Sequence, residues 1–190
     1  MLNSSPPTQE KVDPRVKRTR NLILRAFGEL LNEKGFAEIT IQDIAERAEI
    51  NRATFYAHFP DKYALLQFST EQAFRQELEK RTLSACHYSP ENLRALIVTV
   101  CEFVSGSNRY CKMRDAHFDS LVESKVREQV RTLLEWWLRE KEKSESEKIA
   151  IATAWAIYGL AQHWSRLKPR PSAEEYAEQV APLVSCMLSL

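Results

Sequence analysis

Apolar residues recur along this chain at helical spacing almost from end to end. After Pro14 they fall as the pairs Leu22/Ile23, Ala26/Phe27 and Leu30/Leu31, which predicts a long amphipathic helix closed by "EKG", with Gly35 as a left-handed cap. Two short helices follow. Thr40 with Asp43 three residues on, and Ile39 with Ile44 as a hydrophobic staple, mark the start of a helix over Ile41 to Ala48. Asn51, with Ile50 and Phe55 as its staple, opens a second over Arg52 to Phe59, which Pro60 ends, and Asp61 caps a longer third. "CHYSPEN" reads as a linker, with Pro90 opening the next helix. Further helices are predicted from Glu91 to Val104, briefly around "RYCKMRDAHF", from Ser124 to Lys143, from Glu147 to Leu167, and from Ser172, where Glu175 completes a capping box and Pro182 should bend the helix. With only four Gly residues and no candidate strand, the fold class is all-α.

Composition changes this picture little, and charge changes it more. The net charge of +1 hides a basic run of Lys11, Arg15, Lys17, Arg18, Arg20 and Arg25 against the single acid Asp13. These cations crowd the first turns of a helix, where the dipole favours acids, and a polyanionic partner would account for them. Residues 1–14 are Ser/Pro-rich and polar and are expected to form a disordered arm. Cys86, Cys101, Cys111 and Cys186 are scattered without a C-x-x-C pair, so neither a disulfide framework nor a metal site is expected. The first residues lack the apolar stretch of a signal peptide, and "IAIATAWAIYGLA" is too short to span a bilayer, so a soluble, cytoplasmic protein without membrane contact is expected.

The short helix from Arg52 to Phe59 carries the most specific chemistry. At about 100° per residue, Phe55 and Phe59 fall together toward Ile44, Ala45 and Ala48, and Ala53 and Ala57 point away. Arg52 and Tyr56 flank the two alanines on one side, Thr54 and His58 on the other. A floor of methyl groups edged by longer polar side chains suits a helix seated in the major groove, with phosphates at the walls and base edges beneath. The tight link between two capped short helices is the spacing of a helix-turn-helix. Two connector helices in a bundle would share that spacing.

The segment "RTRNLILRAFGELLNEKGFAEITIQDIAERAEINRATFYAHFPDKYALL", with "KGF" closing the first helix, "TIQDIAERA" as the second and "TFYAHFPDKYALL" beyond it, resembles the N-terminal DNA-binding domain of the TetR/AcrR family of bacterial transcriptional regulators. The resemblance implies a helix-turn-helix domain over residues 15–62 and a C-terminal ligand-binding and dimerisation domain over residues 63–190. It implies that Thr40 contacts phosphate and that Gln42 reaches backbone or a base edge. Arg52, Ala53 and Thr54 then occupy recognition positions, Tyr56 and His58 contact phosphate, and Lys62 anchors the backbone. Ala53 stands where the family often has Gly, and Ala57 where a larger side chain is frequent, so base readout would rest on Arg52, Gln42 and Thr54. The cluster from Arg15 to Arg20 could reach the neighbouring minor groove.

No catalytic or cofactor motif follows Arg81, so neither an enzyme nor a bound cofactor is expected. The helix from Glu147 to Leu167 is apolar nearly all round and rich in small residues, which requires cover on both faces, inside a core or between subunits. In the resembled family the last two helices pair two chains. That implies a homodimer through Ala152, Trp155, Ala156, Gly159, Leu160, Leu183, Val184 and Met187. It also implies a small-molecule effector, with candidate lining residues Phe103, Tyr110, His117, Phe118, Trp155, Tyr158 and His163, which releases the protein from a palindromic DNA operator. Aromatic residues at helical spacing are equally explained as plain core. The alternative function on the same fold is a helical protein-interaction module that no longer binds DNA.

Overall fold

The computed structural model describes residues 13–81, 87–110, 116–139 and 143–188, and every α-helix among them packs against at least one other. In chain order they are α1 (Pro14–Glu33), α2 (Ile41–Arg47), α3 (Arg52–His58), α4 (Lys62–Arg81), α5 (Pro90–Tyr110), α6 (Ala116–Trp137), α7 (Lys143–Arg166) and α8 (Ala173–Leu188), with a 3₁₀ turn at Phe36–Glu38 between α1 and α2. None of the described helices is long and apolar enough to cross a membrane.

The N-terminal unit is α1 to α3. Ile23, Phe27 and Leu30 of α1, Ile44 and Ala45 of α2, and Phe55 of α3 are buried together. Each large side chain so buried contributes about 1.5–3 kcal/mol. The remaining helices form a bundle in which α4 lies on α5 and α6, α5 on α7 and α8, and α7 on α6 and α8.

Caps fix the short elements as the spacing predicts. Thr40 Oγ1 accepts from the backbone N–H of Asp43, and Asp43 Oδ2 accepts from the backbone N–H of Thr40. Asn51 Oδ1 accepts from the N–H of Thr54, Asp61 Oδ1 from that of Ala64, and Ser172 and Glu175 exchange the two bonds of a capping box. Several expectations change. Gly35 is extended (φ −65°, ψ 151°) and opens the 3₁₀ turn, so it is no left-handed cap. The left-handed residue is Glu49 (φ 55°), where the chain reverses between α2 and α3. There the N–H of Ile50 bonds the carbonyl of Ala45 and the N–H of Glu49 that of Glu46, which is the bond pair of a Schellman ending.

Asp13 and Pro14, counted with the disordered arm, are the N-cap and first residue of α1; residues 1–12 lie outside the described residues. α5 continues to Tyr110 and α6 starts at Ala116, eight residues earlier than the apolar pattern suggested. The short helix expected around "RYCKMRDAHF" falls largely on residues 111–115, outside the described set.

Candidate DNA-binding face and interior cavity

Two regions collect the candidate functional residues. The first is the outer face of α3. Phe55 and Phe59 are buried, and Arg52, Ala53, Tyr56 and Ala57 are exposed. The guanidinium of Arg52 and the hydroxyl of Tyr56 have no hydrogen-bond partner among the described residues. Thr54 and His58 are half-buried on the flank. Desolvation, aided by the charge of Arg20, lowers the His58 pKa below the ordinary imidazole value.

The other predicted contact residues spend their donors internally. Thr40 Oγ1 donates to Asp43 Oδ2 at 2.7 Å, Thr54 Oγ1 to Asn51 Oδ1 at 2.9 Å, and Gln42 Nε2 to Glu46 Oε1. Lys62 departs furthest from expectation. Its Nζ donates to the carbonyls of Phe36, Ala37 and Ile39 at 2.8–3.0 Å and lies 4.8 Å from the centre of the Phe36 ring. An ammonium has three donors, so in the free protein Lys62 ties the start of α4 to the 3₁₀ turn and has none left for a phosphate.

Ion pairs that the sequence reading missed brace the same unit. Lys34 Nζ bonds Asp43 Oδ2 at 2.8 Å, which with the Thr40 bonds holds the Asp43 pKa down to about 2. Arg47 makes a two-pronged pair with Glu33, both bonds 2.8 Å, lowering the Glu33 pKa and raising that of Arg47. In the sequence these partners stand nine and fourteen residues apart, which no local signal links. Along α1, Arg15, Lys17, Arg18 and Arg25 are exposed, whereas Arg20 turns inward, its guanidinium 5.5 Å from the centre of the Phe68 ring.

The second region is a cavity of about 770 Å³ in the bundle, lined from α1 by Leu31, from α4 by Leu66 and Thr70, from α5 by Phe103 and Ser105, from α6 by Phe118 and Val122, and from the end of α7 through the start of α8 by Trp164, Arg170 and Ser172. Of the seven predicted lining residues, Phe103 and Phe118 are there. Trp155 is instead exposed and stacked by Arg127, whose guanidinium carbon is 3.4 Å from the ring centre. Tyr158 is packed in the core, away from the cavity lining. His163 is exposed with Nδ1 3.2 Å from the Tyr176 hydroxyl, and exposed His117 packs edge-on to Tyr63. The side chain of Tyr110 lies outside the described residues. Arg170, Trp164 and Thr70 were missed, because nothing in their spacing marks them.

The apolar surface predicted on α7 and α8 divides. Ala152, Trp155, Gly159 and Leu183 are exposed, and Ala156, Leu160 and Met187 are half-buried. Val184 is 1% exposed within its own chain and so leaves that surface. A Cβ placed on Gly159 would meet nothing within 4 Å, so packing inside the chain does not require glycine there.

Comparison with known proteins places these features. Residues 23–67 match the sequence model of the bacterial regulatory proteins of the tetR family. An uncharacterized HTH-type transcriptional regulator of Bacillus subtilis (strain 168), YxbF, is 37% identical over 78 residues, which are 40% of this chain and 20% of that protein. This chain therefore spans only a fifth of that relative's length. Among solved structures, a TetR-family regulator from Streptomyces coelicolor A3 superposes with a TM-score of 0.63 over 94% of this chain and 98% of its own, at 18% identity. Thermus thermophilus FadR, a TetR-family repressor in complex with lauroyl-CoA, gives a TM-score of 0.59 over 87% of this chain and 93% of its own, at 24% identity. At these identities the structures speak for the fold, while the matched N-terminal segment speaks for the lineage. Residues 23–67 therefore form a helix-turn-helix domain of the tetR type found in bacterial regulatory proteins.

Proposed function

We propose that this protein is a sequence-specific DNA-binding transcriptional regulator, a homodimeric repressor that a small-molecule effector releases from a palindromic operator. The observation that carries the reading is the outer face of α3, where the unspent donors of Arg52 and Tyr56 flank the exposed methyls of Ala53 and Ala57. Arg52 is the base-reading candidate, with Gln42 and Thr54 contributing once their internal bonds are exchanged. Tyr56, His58, Thr40 and the basic face of α1 contact phosphate, and Lys62 acts indirectly by fixing the 3₁₀ turn that precedes α2. Residues 15–62 form the DNA-binding part, and residues 63–190 pair the subunits and sense the effector.

The exposed apolar strip on α7 and α8 supports dimerisation. A two-fold axis through it would present two copies of α3 to half-sites one helical turn, about 34 Å, apart. The cavity supports effector sensing, since its size lies within the usual range of ligand pockets. The lauroyl-CoA bound by the Thermus FadR shows that a neighbour of the same fold takes a ligand. A direct line runs from the cavity wall to the DNA-binding part. Phe118 packs on Phe36 with ring centres 5.7 Å apart, and Phe36 lies in the 3₁₀ turn that Lys62 holds. A ligand that displaces Phe118 moves the support of α2, and the spacing of the two α3 helices changes with it.

Selection of bound sequences from a random duplex pool tests this reading. Recovery of an imperfect palindrome is the expected result, and a pool that stays random through repeated rounds at low ionic strength contradicts it.

A further inference from the structure

Resting on the reading of the cavity as an effector site, we propose that its ligand is an amphipathic monoanion, with one carboxylate held by Arg170 and an apolar body lying over Phe103, Phe118, Leu66 and Val122. Arg170 stands in the loop between α7 and α8, and two contacts orient it. Its Nη1 donates to Ser105 Oγ at 2.9 Å, from a serine that is 5% exposed, and its guanidinium carbon lies 4.7 Å from the centre of the Trp164 ring. The indole N–H of Trp164 donates in turn to the Pro171 carbonyl at 3.0 Å, which fixes the ring against the loop. A guanidinium has five N–H donors, and only one is spent on Ser105. The planar fork so positioned matches a carboxylate.

The other charges on the wall, Glu174 apart, are already paired. Arg81 is paired with Glu102, and Glu77 with Lys80 at 2.7 Å. Arg170 is exposed and has no carboxylate at ion-pair distance among the described residues, so its solvated charge stands at the cavity wall ready to exchange water for a ligand carboxylate. Thr70 gives a second, independent sign of a polar ligand. It lines the cavity, is 6% exposed, and its hydroxyl has no hydrogen-bond partner among the described residues. That hydroxyl remains open to solvent in the cavity, where a ligand oxygen would supply a partner.

The surroundings select against other head groups. Glu77 and Glu102 are paired, but Glu174 also lines the cavity without an ion-pair partner among the described residues, and its repulsion grows with each negative charge on a ligand, so Arg170 offsets a monoanion better than a dianion. An ammonium would find two of these carboxylates already paired and the Trp164 face occupied by Arg170. The apolar side chains from α4, α5 and α6 leave room for a hydrocarbon or aromatic body.

The test is titration calorimetry on the full chain with head groups varied on fixed bodies. The probes are decanoate, decan-1-ol, decyl phosphate and decylamine, together with biphenyl-4-carboxylate and its neutral carboxamide. Each carboxylate is expected to bind about tenfold or more tightly than its neutral counterpart and more tightly than the phosphate or the amine. Arg170→Met should abolish that preference and Arg170→Lys should restore part of it, with circular dichroism confirming that both variants are folded. Equal binding of acid and alcohol, preference for the amine or phosphate, or an unchanged preference in Arg170→Met overturns the monoanion. Ala73→Trp separates this from failure of the site itself, because Ala73 is exposed and on the cavity wall. If bulk there leaves probe binding untouched, or if no probe binds at all, the cavity is not the effector site and the inference falls with it.

Discussion

α3 and α7 each leave one face uncovered, and the chemistry of the two faces is opposite. On α3 the uncovered groups are hydrogen-bond donors around two methyls, and on α7 they are Ile151, Ala152, Trp155 and Gly159. The supports differ in the same sense. α2 and α3 are seven residues each, too short to hold themselves, and are locked by caps, ion pairs and the Lys62 tie. α7 runs 24 residues and is held by burial of Ala150, Ala154, Ile157 and Ala161. Under the proposed function the difference is physical: a surface that must match fixed acceptors needs a scaffold set by directional bonds, whereas one that would meet a copy of itself needs area and close approach.

The sharpest way to break the comparison is to place a charge on the apolar face. Leu183→Glu, at a residue 66% exposed, should leave the single chain folded yet weaken the dimer by about 3 kcal/mol or more, read by sedimentation velocity across a dilution series. Next comes the Lys62 tie. Lys62→Met keeps the stem but removes three charge-assisted bonds to carbonyls, and a loss of about 2–3 kcal/mol in chemical denaturation is expected, together with weaker DNA binding. On the α3 face itself, Tyr56→Phe removes one hydroxyl without touching the fold. It should cost about tenfold in DNA affinity, similarly for every duplex, whereas Arg52→Ala should also relax sequence preference.

Smaller effects probe the lock between the helices. The folded pKa of Asp43, about 2, lies below its ordinary 3.8, so its contribution is complete above the ordinary value and is lost as pH falls from there through about 2. Asp43→Asn should flatten that part of the acid unfolding curve and lower stability at neutral pH by about 1 kcal/mol. Glu49 adopts φ 55° without being glycine, and Glu49→Gly should raise stability by about 0.5–1 kcal/mol in thermal unfolding.

The same contrast explains what could be read from the chain and what could not. Caps are local, so Thr40 with Asp43, Asn51, Asp61 and Ser172 with Glu175 announced their helices within three residues. The inward pair Phe55 and Phe59 followed from helical spacing alone. The Lys62 tie could not be read locally, because its carbonyl acceptors stand 23 to 26 residues earlier and are chosen by the tertiary fold. Gly35 misled because a glycine after a helix suggests the left-handed cap, while here buried Phe36 draws the chain into a 3₁₀ turn. In the bundle, periodicity found helices but could not tell core from cavity or surface. Phe103 borders the cavity, Tyr158 is core, and Trp155 sits outside under Arg127, although all three are aromatic residues on helices.

The central claim is that two subunits together set the α3 face into a duplex. Fluorescence anisotropy with a labelled duplex from the selected pool, titrated at increasing salt with stoichiometry fixed by analytical ultracentrifugation, addresses it directly. The account predicts two chains, or a multiple of two, on each duplex, affinity that falls steeply and linearly on logarithmic axes as salt rises, and loss of binding in the dimer-breaking Leu183→Glu. A monomer that ignores every duplex at low ionic strength, or binding whose strength is indifferent to salt, contradicts it.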